Sequence, residues 1–130
     1  MKILILALAA IFGMTIITPA QKPTNITLRH NQQKSAGSTG LTIKFVSVVE
    51  DSRCPEGVQC VWAGNAKIQV KVTNARGSEI LTMNTGAGPK GDQYGGYAIN
   101  LINLEPGKPQ HGKLPASRYT ATFSITRLTR

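Results

Sequence analysis

The eight residues from Ala66 to Thr73 alternate without a break between apolar and polar side chains. Ala66, Ile68, Val70 and Val72 fall on one side, and Lys67, Gln69, Lys71 and Thr73 on the other. A period of two marks a strand with one face in a core and the other in water. A helix would scatter the same four apolar residues around its axis. Such a strand needs neighbours on either side and a second layer over its apolar face.

The remaining chain supplies candidates for both. Ile26, Leu28 and His30 alternate with Thr27, Arg29 and Asn31, which predicts a first strand. The polar run Asn31-Gln32-Gln33-Lys34 ends it, and Ser35 to Gly40 has loop composition. Leu41 to Glu50 is rich in β-branched residues and predicts the strongest strand. Its alternation puts Leu41, Ile43, Phe45 and Val49 on one face and Thr42, Lys44, Val46, Val48 and Glu50 on the other. The second face turns apolar along its length, so burial should increase toward its end. Asn74-Ala75-Arg76-Gly77 predicts a hairpin turn, with Glu79 to Met83 returning. Asn84 to Gly96 is Gly-rich and predicts an exposed, mobile loop. Tyr97 to Leu104 follows as a strand, with Tyr97, Ile99 and Leu101 on one face. Glu105 to Pro109 breaks it, and a second loop runs through Gly112 and Pro115. In the last strand, Tyr119 to Arg127, the side chains of Tyr119, Ala121, Phe123 and Ile125 point inward. Six to seven short strands with no helix among them predict an all-β domain, a small antiparallel β-sandwich or a partly open barrel.

The first twenty residues follow different rules. Met1-Lys2 is a short positive start, Ile3 to Ile17 is nearly all apolar, and Thr18-Pro19-Ala20 offers small residues where a signal peptidase reads. This layout predicts a secretory signal peptide over 1–20, cleaved after about Ala20, and a single β-domain over 21–130. A membrane anchor is the rival reading, but the apolar run falls short of the roughly 20 residues a spanning helix needs, and Pro19 ends it. No later stretch is apolar enough to span a bilayer, so the mature chain is expected in the periplasm or outside the cell.

The chain carries 15 Lys and Arg against 6 Asp and Glu, a formal net charge of +9. On an exported protein this charge points to an anionic envelope polymer or another protein as partner. The row of Lys67 and Lys71, with Lys44 close by, is the candidate contact. Nucleic acid is not expected: the chain leaves the cytosol, and aromatics at 5% are too few for a base-stacking platform.

Both cysteines lie in one short segment, Cys54-x5-Cys60. In an oxidising compartment two close cysteines read as a disulfide. Pro55-Glu56-Gly57 is turn chemistry that brings the sulfurs together. A loop this short contributes roughly 2 to 2.5 kcal/mol in the chain-entropy model. A redox pair would favour Cys-x-x-Cys, and no second ligand pair follows at zinc spacing. Trp62 is placed to pack over the disulfide, Gly64 to take a positive φ, and Asp51 and Arg53 to pair or to cap loop amides. The segment has two roles open to it. It is a structural corner, or a stiff recognition loop presenting Arg53, Glu56, Gln59 and Trp62, as in an inhibitor of a secreted enzyme.

The run Asp51-Ser52-Arg53-Cys54-Pro55 through Cys60 to Trp62-Ala63-Gly64 resembles a stretch that recurs in small exported bacterial proteins of unassigned function. That resemblance implies an exported, disulfide-bearing, β-rich chain. It implies no activity and no catalytic residue.

Nothing else in the sequence assembles a reaction centre. No serine lies in a Gly-x-Ser-x-Gly elbow, and a bridged cysteine is no nucleophile. Glu50 and Asp51 are adjacent, which in a strand points them to opposite faces. Gly86-x-Gly88-x-x-Gly91 matches a nucleotide fingerprint by letters, but Pro89 and the lack of a following helix break the match. His30 and His111 are far apart, and no Asp/Asn-rich calcium loop is present. No catalytic residue, metal site or cofactor is expected.

Overall fold

In the computed structural model, which describes Gly13, Thr15 and residues 22–129, the alternating segment lies inside a four-stranded sheet. Eight strands are formed: β1 (Thr24–Arg29), β2 (Gln33–Ser35), β3 (Thr42–Asp51), β4 (Ala66–Asn74), β5 (Gly77–Asn84), β6 (Gly91–Tyr94), β7 (Tyr97–Glu105) and β8 (Thr120–Arg127). They make two sheets, ordered β2-β3-β4-β5 and β1-β8-β7-β6, with every pairing antiparallel. The architecture is a β-sandwich and not a closed barrel. The expected signal peptide lies outside the described residues, apart from Gly13 and Thr15. Among the described residues no helix is long and apolar enough to cross a membrane.

The core forms where the apolar faces of the two sheets meet. Ala66, Ile68, Val70 and Val72 of β4 are fully buried, as are Ile43 and Phe45 of β3. Opposite them lie Leu28 of β1, Ile99 of β7, and Ala121, Phe123 and Ile125 of β8. Phe45 and Phe123 meet edge to face at 6.4 Å between ring centres, bridging the gap between the sheets. Each such side chain contributes about 1.5–3 kcal/mol by leaving water. The chain passes from one sheet to the other within two residues. His30 N–H donates to the Tyr119 carbonyl at 3.1 Å, and Asn31 N–H donates to Phe45 at 2.7 Å. Asn31 makes the corner with φ 65°, a conformation that Asn tolerates.

Three expectations are corrected. The strand count is eight, because β2 lies in the polar run taken to be loop and β6 lies in the Gly-rich stretch. That stretch is therefore no single exposed loop. Its first half closes on Asn84, whose N–H and Nδ2 both donate to the Pro89 carbonyl, at 3.0 and 2.9 Å. Its second half is a hairpin with β7. The third correction concerns β3. Bulges between Phe45 and Ser47 and between Val48 and Glu50 each insert a residue into the ladder. The first bulge flips the alternation, so Val48 packs on the core and Val49 is 56% exposed. The second bulge flips it back and turns Asp51 toward the interior.

The bulges make a measurable difference between neighbours. Val48→Ala should destabilise by about 1–2 kcal/mol in urea unfolding, and Val49→Ala by less than about 0.5 kcal/mol. Equal losses would mean a regular β3.

Candidate functional site

Beyond Asp51 and Ala66 the β3–β4 ladder does not stop. Ser52 N–H and its Oγ donate to the Asn65 carbonyl at 2.7 and 2.8 Å, and Cys54 N–H donates to Ala63 at 2.9 Å. The segment 52–65 is thus an extension of the hairpin, closed at its tip by the Cys54–Cys60 disulfide with a Cα separation of 5.9 Å. Gly64 is required where the arms cross back: its φ is 73°, and a Cβ there would run into the Ser52 carbonyl.

The tip is braced from the side by the segment after β7. Glu56 N–H donates to the Lys108 carbonyl at 3.0 Å, and Gln110 Nε2 donates to the Glu56 carbonyl at 2.8 Å. The Glu56 side chain fills the space that a Cβ on Gly107 would occupy.

Arg53 anchors the base. Its Nε and Nη2 grip Asp51 Oδ1 and Oδ2 at 2.8 Å each, while Nη1 and Nη2 donate to the carbonyls of Leu104 and Pro106 at 2.9 and 3.0 Å. Tyr119 Oη donates to Asp51 Oδ2 at 2.8 Å. One guanidinium therefore ties the end of β3 to the end of β7, and one carboxylate ties both to the start of β8. The ion pair has side-chain exposures of only 14% and 11%, so it is more than a surface pair. Burial alone would raise the Asp51 carboxyl. The hydrogen bonds from Arg53 and Tyr119, and the Arg53 charge, outweigh it and hold the group below its ordinary value. Burial and the bond to Asp51 push the Tyr119 hydroxyl up to about 12.

The expected recognition residues separate into distinct groups. Arg53 is turned inward, with four donated bonds inside the protein. Glu56 and Gln59 are exposed on the tip. Trp62 does not pack over the disulfide: it is 82% exposed, beside Val61 at 92% and Val58 at 45%. The chain bends at Val61-Trp62. Among the described residues, no backbone N–H from Gln59 to Trp62 has a hydrogen-bond partner. Val58 and Val61 were missed at the sequence level, and their signal was the absence of charge from Gly57 to Ala66. Lys44, Lys67 and Lys71 lie elsewhere, on the outer face of the β2-β3-β4-β5 sheet, where Lys44 stands opposite Lys71 and Lys67 opposite Glu50.

A cleft of about 350 Å³ opens between the end of β3 and the segment before β8, lined by Val48, Glu50, Lys108, Leu114 and Tyr119 with Asp51 at its edge. Among the described residues, no three His, Cys, Asp or Glu side chains converge as metal ligands would.

Fold and site together define a disulfide-bearing β-sandwich that carries a braced, apolar-tipped hairpin at one end. Comparison of the chain with protein-family models, curated proteins and solved structures finds no match.

The Asp51 network sets two pH limits on stability. Asp51 is depressed on folding, so its contribution is present above its unfolded value of 3.8 and is lost as pH falls through the lower folded value. Tyr119 is raised, so its contribution holds below 10.0 and is lost as pH rises through about 12. Tyr119→Phe should remove the alkaline limit and cost about 1–2 kcal/mol at neutral pH. Asp51→Asn should cost about 2–3 kcal/mol, because Arg53 stays half-buried without its partner. Chemical unfolding at pH 3, 7 and 11 checks each sign.

Proposed function

We propose that the chain is an exported, non-catalytic binding domain that docks the Val58–Val61–Trp62 tip into a concave site on a partner protein. The observation that carries this reading is the exposure of Val61 and Trp62 on a frame fixed by a disulfide and cross-braced to Lys108 and Gln110. Large apolar side chains in water on a stiff support are typical of interface anchors, since the cost of ordering the loop is met before binding.

The non-catalytic part of the reading rests on Asp51. Both of its oxygens are occupied by Arg53 and Tyr119, so the carboxylate beside the cleft has no free lone pair aimed at a substrate. Export rests on the leader-like start of the sequence and is supported by the disulfide.

A second reading follows from the same convex, braced tip. Where the partner's concave site is the active-site cleft of a secreted enzyme, docking blocks substrate and the chain is an inhibitor.

Trp62 is the only tryptophan, so its emission reports the tip directly. Envelope fractions that bind the protein should shift that emission to the blue. Val61→Ala/Trp62→Ala should weaken retention of the same partner by about a hundredfold, or ~2.7 kcal/mol, with unfolding midpoints unchanged. A fraction that binds wild type and the double variant equally would rule the tip out as the contact.

A further inference from the structure

We propose that the outer face of the β2-β3-β4-β5 sheet binds an anionic polysaccharide through Lys44 and Lys71. This rests on export and is independent of the hairpin tip. The ladder registers build one continuous row, Gln33–Lys44–Lys71–Ile80, across all four strands. Lys44 and Lys71 are direct cross-strand partners, and like charges in that position repel and weaken the ladder. Neither has an ion-pair or hydrogen-bond partner among the described residues. A local conflict of this kind, kept in the middle of a well-formed sheet, marks a position set by something other than folding. An anionic group lodged between the two ammonium groups turns the repulsion into attraction for both.

The rows on either side specify the kind of anion. Ser35–Thr42–Thr73–Ser78 lies on one side and Ser47–Gln69–Thr82 on the other. These rows carry hydroxyls and an amide, which donate to and accept from sugar hydroxyls. None of the three rows contains an acid to repel a polyanion. None contains an aromatic ring, so a single-stranded nucleic acid has no platform to stack on. Apolar side chains on the face are too sparse to enter a bilayer: Ile80 is half-exposed and no Trp or Tyr accompanies it. Four residues along β4, Lys67 stands roughly 13 Å from Lys71 but faces Glu50, which limits the strongest field to the Lys44–Lys71 pair.

The test uses the protein secreted and purified by expressing cells. Its binding is measured to dextran sulfate, polygalacturonate, neutral dextran, a thymidine oligonucleotide and phosphatidylglycerol vesicles. Both anionic polysaccharides should bind at low ionic strength, weaken steeply with added salt, and lose about tenfold in affinity with Lys44→Gln/Lys71→Gln. Lys108→Gln/Lys113→Gln removes the same charge elsewhere and should change affinity less than about twofold. The Lys44→Gln/Lys71→Gln protein should be at least as stable as wild type, since it has lost a repulsion. The proposal is overturned if the control pair loses as much, if neither anionic polysaccharide binds, if the oligonucleotide or vesicles bind as tightly, or if the double variant is less stable.

Discussion

The Arg53 guanidinium holds the end of β3 to the end of β7, two strands that no ladder joins. β3 belongs to one sheet, β7 and β8 to the other, and no ladder connects them. A sandwich is joined across its middle by side-chain packing, here through Phe45 and Phe123, but at its ends packing thins and the sheets can splay. Arg53 closes this end with charge-assisted bonds to Asp51 and to the carbonyls of Leu104 and Pro106. A planar fork with five fixed donors can do this, and a lysine cannot. The disulfide-closed tip carrying Trp62 starts one residue later, at Cys54, so its stiffness is inherited from this joint. Disulfide and cross-braces then fix the tip relative to a base that is already fixed relative to both sheets.

The parts of the sequence that were easy to read are those where one physical signal dominates. β4 and β8 alternate cleanly, and every inward residue expected in them is buried. The cysteines pair, and Gly64 takes its positive φ. The missed features all depend on the three-dimensional context. β2 has three exposed polar residues and exists only because β3 offers it an edge. β6 opens with Gly91, whose missing side chain lets the strand lie against Ile99 and Asn100. A bulge leaves no mark in the letters Val46-Ser47-Val48-Val49, since any of the three valines suits either face. The inward turn of Arg53 was half legible: residues two apart on a strand share a face, which makes Asp51 and Arg53 neighbours. What the letters do not carry is that carbonyls of Leu104 and Pro106, some fifty residues on, complete the shell.

Trp62 shows why composition misleads at such a site. A tryptophan near a disulfide is usually read as a packing partner, because the indole is the largest apolar body in the chain. Here the space beneath the hairpin is already taken by Arg53 and its four acceptors, and the flank by Glu56 against Gly107. The indole is left 82% exposed, above a base whose contacts are polar.

The charge pattern follows from the same division. Four of the six acidic residues, Glu50, Asp51, Glu56 and Glu105, gather around the hairpin end. There they offset Arg53, which pairs with Asp51, and Lys108, Lys113 and Arg118, which line the same clefts. The surplus positive charge is left to the rest of the molecule, the outer sheet face among it. A chain with acids spread evenly would have set one opposite Lys44 or Lys71, as Glu50 stands opposite Lys67. Concentrating the acids at one end gives the molecule two unlike surfaces: an apolar tip, with Val61 and Trp62 in water, and a basic sheet face carrying Lys44 and Lys71.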